Sequence, residues 1–515
     1  MTKLARTRFA REQFPKAKIK TWLDATERIS LSKNNLNNLN STHHKMIRTK
    51  TTTLTKILTG GALVLACAAS VYAQEKPYTQ PGVALPVSPP APKPPVTAVD
   101  AKPVTPPPAP EPNAVEKFFN GKIPDAFTKG KFSLNSRLRY EYVEQSNFKE
   151  EANALTVRTR FGFTTAPLYG FQGMIEGENA TPLLREHNYN AAGSNKQTDR
   201  PVIADPETTE LNQAWLGYSY TNWISLKGGR QHIALDNHRF VGDVGWRQNM
   251  QTYDSVLFES KPLNGLSLFY AYVWNVNRVF GDVEGLATAS PNRDFRSDSH
   301  FINVSYQPFK YGRIVGYSYL LDLENGAGFA NSCATYGAYF AGSAPVTEKI
   351  SLGYRAEYAH QTDYKESPQD YAVDYYNLEL SATMKPVSVG AGYEVLGSDE
   401  NEAGVGNVGF RTPLATLHAF NGWADVFLAT PANGLRDAYA FGQVTLPGEV
   451  PVRLVYHKYD SDKESVDLGQ EINLQATKKF GKHWSVLAKY AYYDGKEAPA
   501  RFDVHKFWAQ VEFNF

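Results

Sequence analysis

Hydrophobic and polar residues alternate with a period of two along most of the chain after residue 130. In the final ten residues, KFWAQVEFNF, the residues Phe507, Ala509, Val511, Phe513 and Phe515 fall on one side, and Lys506, Trp508, Gln510, Glu512 and Asn514 fall on the other. A strand sends successive side chains to opposite faces, so this is one apolar and one polar face of a sheet. ALTVRTRFGF repeats the pattern, with Leu155, Val157, Phe161 and Phe163 opposite Thr156, Arg158 and Arg160. So does LNSRLRYEY, with Leu138, Tyr140 and Tyr142 opposite Arg137, Arg139 and Glu141. YNLELSATM and VRLVYHKYD follow the same rule.

The connections between these segments alternate in length. Short turn signals lie near residues 166–170, 220–223, 261–265, 307–312, 343–349, 385–387, 447–451 and 480–483. Longer polar loops lie near 145–153, 182–208, 235–249, 277–297, 324–332, 362–369, 398–434, 460–465 and 495–504. Short turns on one rim and long loops on the other are what an outer-membrane barrel requires. The expectation is an all-β fold, a transmembrane antiparallel β-barrel of about 18 strands with short periplasmic turns and long extracellular loops. A barrel of that size is wide enough for an aqueous channel. A soluble solenoid or propeller is the competing reading, but no repeat of fixed length is present.

Composition fits a barrel in lipid. Aromatics make up 13%, with 30 Tyr and 28 Phe against 5 Met. The mean hydropathy of −0.42 would suit a soluble protein, yet a barrel strand shows lipid only every second residue. Beyond the N-terminal region no apolar run reaches the length of a spanning helix.

The N-terminal part reads as an address. Residues 46–73 have a positive start at Arg48, Lys50 and Lys56, an apolar stretch from Ile57 to Ala69, and small residues at Val71 and Ala73. This is the pattern of a signal peptide cleaved before Gln74. A competing reading makes Cys67 a lipidation site, against which stands the bulky Leu65. Residues 1–45 are basic, lack periodicity, and are expected to be a misassigned extension ahead of Met46. Residues 74–114 form a linker, with 13 prolines between Pro81 and Pro112. Such a segment is extended polyproline II, reaching on the order of 100 Å. It suits a periplasmic spacer or a tether touching the cell wall. Residues 115–515 are assigned to the barrel.

Removing residues 1–73 changes the charge. They hold 13 of the 54 Lys+Arg and 3 of the 52 Asp+Glu, which leaves 41 against 49, or −8. So acidic a remainder is a poor nucleic-acid binder. Only Cys333 lies outside the leader, which excludes a disulfide scaffold and cysteine-rich zinc sites.

Candidate chemistry sits on the polar faces and in two irregular segments. Arg137, Arg139, Arg158 and Arg160 come from adjacent strands about 4.8 Å apart and can form one positive patch. Arg230, Arg239, Arg247 and Arg411 belong to segments 226–259 and 411–442. Rings of Arg and Lys make anion pores; the plainer reading is a ladder of wall-bracing pairs with Glu141, Glu176, Glu178, Asp236 and Asp254. His418, Asn421, Trp423 and Asp425 lie in a stretch less regular than a strand. It reads either as an inward-folded loop narrowing a pore or as an external loop packed on its own aromatics. Ser398, His418 and Asp425 lack a nucleophile elbow, and no H-E-x-x-H or Walker motif occurs, so no enzyme is expected. Asp460, Asp462 and Glu464 read as solvated loop charge, with Ca²⁺ binding as the sharper alternative. No cofactor or metal is expected.

Two segments carry a resemblance. LKGGRQHIALDNHRFVGDVGWRQNMQTYDSVLFE (226–259) and RTPLATLHAFNGWADVFLATPANGLRDAYAFG (411–442) resemble the alginate export family of outer-membrane barrels. RLRYEY at 137–142 and VRTRFGF at 157–163 are similar to the opening of that domain. The resemblance covers residues 115–515. It implies an 18-stranded barrel in the bacterial outer membrane that passes anionic solutes, with uronate-containing polysaccharide or its oligomers as the implied cargo. The alternatives are a general or neutral-solute porin and a non-conducting structural or adhesion barrel. Implied partners are outer-membrane lipid and the barrel assembly machinery, which reads a terminal strand ending in Phe515.

Overall fold

The computed structural model describes residues 123–515 apart from 185, 222, 282–292 and 405. The extension, leader and proline-rich linker expected over 1–45, 46–73 and 74–114 lie outside the described residues. A short helix, α1 (Ile123–Thr128), precedes the sheet. The first barrel strands are β1 (Lys131–Gln145), β2 (Ala152–Thr164), β3 (Phe171–Pro182), β4 (Thr208–Tyr220), β5 (Ile224–Gln231) and β6 (Thr252–Leu263). Next come β7 (Leu266–Asn277), β8 (Asp294–Phe309), β9 (Gly312–Leu321), β10 (Cys333–Pro345), β11 (Ser351–Asp363), β12 (Ala372–Met384) and β13 (Val387–Leu396). A two-stranded ribbon, β14 (Ser398–Glu400) with β15 (Asn407–Gly409), stands apart from the barrel. The barrel resumes with β16 (Leu435–Leu446), β17 (Val450–Asp460), β18 (Asp467–Phe480), β19 (Trp484–Gly495) and β20 (Asp503–Asn514).

These strands form one 18-stranded antiparallel sheet. It closes on itself where β1 pairs with β20, from Asn135↔Asn514 to Gln145↔Val504. Closure removes the unpaired edge that a sheet in lipid cannot carry. The strand count and the alternation of short turns with long loops agree with the sequence reading. No helix among the described residues is long and apolar enough to cross a membrane; the crossing is made by strands.

The two faces are inverted relative to a soluble sheet. Leu216, Leu378, Leu380, Val389, Leu454 and Leu474 are all exposed on the outside. Arg139, Glu141, Arg158, Glu178, Glu357 and Glu471 are buried on the inside. Leu378, 55% exposed, belongs to the lipid-facing band. Leu378 is at the centre of β12, and Leu378→Arg is expected to destabilise the barrel by about 2–4 kcal/mol. Denaturant titration of the liposome-inserted barrel measures this, and an unchanged midpoint would contradict the assignment of faces.

The lumen is not an open tube. The long connections after β5 and after β15 turn inward and meet each other. Val241 and Leu414 form a parallel bridge. Gly242 N–H donates to Leu414 O at 2.9 Å, and Thr416 N–H donates to His238 O at 3.0 Å. Phe240 then packs on Tyr317, Tyr375 and Phe410 at centroid distances of 5.3, 5.3 and 5.9 Å. An apolar kernel thus forms inside an otherwise polar lumen.

Candidate functional site: two inward segments and the lumen they narrow

The first inward segment, residues 232–251, is anchored to the wall of β1–β3. The Arg137 guanidinium on β1 donates to the carbonyls of Gly245, Trp246 and Arg247 at 3.0, 3.2 and 3.3 Å. Gln248 donates to Thr156 Oγ1 on β2 at 2.8 Å. Met250 N–H donates to Glu178 on β3 at 3.1 Å. On the opposite side, Asp236 accepts from Tyr339 at 2.7 Å and Asn303 at 2.8 Å.

The second inward segment, residues 410–434, is anchored to β13 and β16–β20. Asn421 donates to Glu394 at 2.6 Å and to Asp437 at 3.2 Å. Ala424 N–H donates to Glu471 on β18 at 2.8 Å. Gly422 has φ +90°, and a Cβ there would collide with the Glu471 carboxylate and the Tyr459 hydroxyl. Gly422→Ala is therefore expected to lower the stability of the docked segment by about 1–3 kcal/mol. Limited proteolysis at residues 410–434 reads this directly, and protection equal to wild type would refute it.

Asp425 joins both segments to the wall. Its carboxylate lies 3.0 Å from Arg247 of the first segment and 2.7 Å from Lys506 of β20, and it accepts from His418 Nδ1 at 2.6 Å. Burial alone would raise the Asp425 carboxyl, but His418, Lys506 and Arg247 hold it well below the usual carboxylate range. The other His418 nitrogen, Nε2, faces Lys489 Nζ of β19 at 2.7 Å. Lys489 lies over the rings of Trp423, Trp246 and Trp508 at 3.9, 4.3 and 5.5 Å. Trp246 stacks on His418 at 4.2 Å, and Arg139 lies 4.1 Å from the Trp246 ring centre.

Burial, acting first, and then Lys489 outweigh the pull of Asp425 and push His418 well below its ordinary value of 6.5. Docked, His418 is neutral; released into water, it regains its proton below about 6.5. At His418 the released segment therefore binds more protons, so this side chain's contribution to docking is lost as pH falls from about 7.5 to about 5.5. Single-channel records over that range should show excursions to larger conductance that grow more in wild type than in His418→Gln. The same pH response in both would contradict this.

The arginines expected to form one positive patch are interleaved with acids. Arg137 and Arg158 share Glu512, each at 3.3 Å. Arg158 also donates to Asn135, leaving its Nε and Nη1 buried without partners. Arg160 pairs with Glu178. Arg139 donates to Gln510 at 2.7 Å and lies 4.0 Å from Asp205. Arg247 meets Glu141 at 3.1 Å and Asp205 at 3.8 Å, besides Asp425. Buried cations need such partners, because an unpaired buried charge costs several kcal/mol.

Arg239 pairs with Glu394 at 2.9 Å and stacks over Phe420 at 4.7 Å. Arg230 makes a two-pronged pair with Asp254 at 2.7 and 3.0 Å on β5–β6, apart from this group. Arg411 also stands apart, under the external loops. Of the other acids considered as wall partners, Glu176 accepts from Asn212 and Gln213. The structure thus gathers Arg137, Arg139, Arg158, Arg160, Arg247, His418, Trp423 and Asp425 around the junction of the two segments. Sequence reasoning missed Lys489, Trp246, Glu471 and Arg453. The inward positions of Glu471 and Arg453 follow from strand alternation, but nothing in the sequence marked them apart from other inward residues; Lys489 shares its strand face with Leu487 and Ala491, which reads as apolar.

Below the junction, on the short-turn side, lies a cavity of about 830 Å³. Arg355, Arg453 and Lys489 line it, as do Tyr354, Tyr439 and Trp423. Its acids are engaged: Glu394 with Arg239, Asp437 with His457 at 2.9 Å, and Glu379 as acceptor from Tyr439 at 2.8 Å. Arg355 pairs with Glu357 at 2.7 Å. Arg453 lies over Phe441 at 4.4 Å. Among the described residues neither Arg453 nor Lys489 has a carboxylate within salt-bridge distance. Ser398, considered with His418 and Asp425, instead donates to Ala432 O at 2.6 Å. Asp462 pairs with Arg436 at 3.0 Å, and no cluster among the described residues is arranged to hold a metal ion.

Residues 130–490 match the alginate export family, described as "Alginate export". The chain belongs to the alginate export family. No curated protein matches it. Solved structures similar to this alginate-export barrel include Pseudomonas aeruginosa OccK9 (OpdG), at 12% identity and TM-score 0.57, covering 76% of this chain and 100% of that one. Acinetobacter baumannii OccAB2 matches at 13% identity and TM-score 0.59, over 76% and 99% of the two chains. Pseudomonas aeruginosa OpdK, solved with vanillate, matches at 13% and 0.55, over 75% and 98%. At these identities the likeness is one of fold. Family and fold together make this alginate-export barrel a channel of the bacterial outer membrane, in contact with lipid outside and open to small solutes within.

Proposed function

We propose that this channel passes small anionic solutes, among them uronate-containing oligomers of the alginate type. The observation that carries this reading is the inner cavity, where Arg453 has no carboxylate within salt-bridge distance among the described residues while Glu394 and Asp437 are paired with Arg239 and His457. A carboxylate replaces part of its hydration with such cations, and weak contacts let it leave again. Tyr354, Tyr439 and Trp423 offer flat faces to sugar rings. The family description supports the uronate class, and vanillate, named with OpdK, is itself a carboxylate.

The docked segments favour oligomers over a continuous polymer, since a polymer would have to displace the Asp425 and Asn421 anchors along its whole length. Arginines such as Arg137, Arg158 and Arg160 act in this reading mainly as braces of the wall and of the first segment. The test is a single-channel recording with oligouronate added on the short-turn side. Concentration-dependent block is expected, and neutral oligosaccharides of the same length should block far less. Equal block by both would favour a general porin.

A further inference from the structure

A second cavity differs from the first in its charge. It lies under the external loops, holds about 350 Å³, and is bounded by the stem of the loop after β7, the 3-10 turn Gly326–Asn331, the β14–β15 ribbon and both ends of the second inward segment. Leu417 lines this cavity, while Thr416 and His418 on either side of it line the inner one. The two cavities therefore face opposite sides of the same stretch of chain.

Phe295, Val408, Phe410, Leu417 and Leu428 give it an apolar side, Asn331, Asn407, Thr412 and Thr430 a neutral polar one, and its cationic residues are Arg411 and Arg278. Among the described residues no Asp or Glu lines it. The contrast with the lumen is sharp at Arg411. Its Nη1 donates to Asn331 Oδ1 at 3.1 Å and its Nη2 to Gln369 Oε1 at 2.5 Å, both neutral amide oxygens. Its Nε is buried with no partner. The Arg278 guanidinium lies 4.1 Å from the centre of the Phe295 ring, which fixes that ring as one wall.

We infer that this outer cavity binds a small organic monocarboxylate with a single-ring apolar body, its carboxylate on Arg411 and its ring among Phe295, Phe410 and Leu428. The Arg411 guanidinium is held by the Asn331 and Gln369 amides and the Tyr371 hydroxyl and has no carboxylate partner among the described residues, and a carboxylate matches its fork of donors. The volume sits at the low end of small-ligand pockets, which suits one ring and not a chain of sugars. The inference rests on the proposed anion channel for the sign of the solute's charge, and adds a site of different selectivity at the external end.

The test is calorimetric titration of the refolded full chain in detergent with benzoate, with benzamide as the neutral counterpart. Benzoate is expected to bind and benzamide not to. Arg411→Gln should weaken benzoate by about tenfold or more, the loss of a charged hydrogen-bond pair. Leu428→Trp, which fills the cavity and keeps the guanidinium, should weaken it as well, and decides the matter should Arg411→Gln fail to assemble. Absence of benzoate binding, or binding that survives cavity filling, overturns the inference. A barrel that binds benzoate through Arg411 but lacks anion selectivity would contradict the proposed function and leave this site standing.

Discussion

Asp425→Ala is expected to open the channel. The wild-type carboxylate serves Arg247, Lys506 and His418 at once. Its removal leaves Lys506 buried without its carboxylate, facing Arg247, which keeps Glu141 and Asp205, across a void; breaking a buried pair by removing one partner costs about 3–5 kcal/mol. Unfolding the whole barrel is not the cheapest response. The second inward segment can leave the lumen, taking Trp423 and His418 with it and returning Arg247 and Lys506 to water. Mean conductance should rise, and residues 410–434 should become open to protease while the barrel strands stay protected. Asp425→Asn keeps the shape and part of the hydrogen bonding, so its effect should be smaller in the same direction. A conductance equal to wild type would mean that Asn421 and Ala424 hold the segment unaided.

The second large effect is expected from Arg453→Glu. Arg453 faces the inner cavity from β17 with only the Phe441 ring beneath it and no carboxylate within ion-pair distance among the described residues. In a water-filled lumen each unit charge changes the energy of a passing ion by about 1 kcal/mol at close approach, or about fivefold in permeability. Reversal changes the local charge by two units, so the anion-to-cation permeability ratio should fall at least several-fold. Because Arg453 makes no salt bridge that braces the wall, the thermal midpoint should move little. A fall in stability with no change in selectivity would instead make Arg453 a packing residue.

Much of the fold was legible because the membrane enforces a simple rule. Phe507, Val511 and Phe513 read as one face, and Lys506, Gln510 and Glu512 as the other, since lipid and lumen lie on opposite sides of every strand. The same rule gave the strand count and separated short turns from long loops. The course of the long loops was only partly legible: an inward path was one of two readings for the segment around His418–Asp425, and residues 232–251 gave no such sign. Residues 232–251 and 410–434 mix aromatic and charged residues much as external loops do. Their inward path depends on partners far along the chain, such as Arg137 for the Gly245 carbonyl and Glu471 for the Ala424 amide.

The arginines were visible as candidates, and so was bracing by Glu141, Glu178 and Asp254 as one of the two readings, but Glu512, Asp205 and Glu394 were not visible as partners. Whether Arg158 and Glu512 meet depends on β20 closing against β1, a pairing between the two ends of the sheet. Lys489 was hidden for a related reason. On its strand it shares a face with Leu487 and Ala491, which reads as apolar until Trp246, Trp423 and Trp508 are seen to surround it.

The most direct test of the anion-channel account is the zero-current potential of the purified barrel in a planar bilayer under a salt gradient. The account predicts a potential of the sign set by anion permeation, moving toward zero in Arg453→Glu. A wild-type potential at zero, or of the sign set by cations, would contradict it.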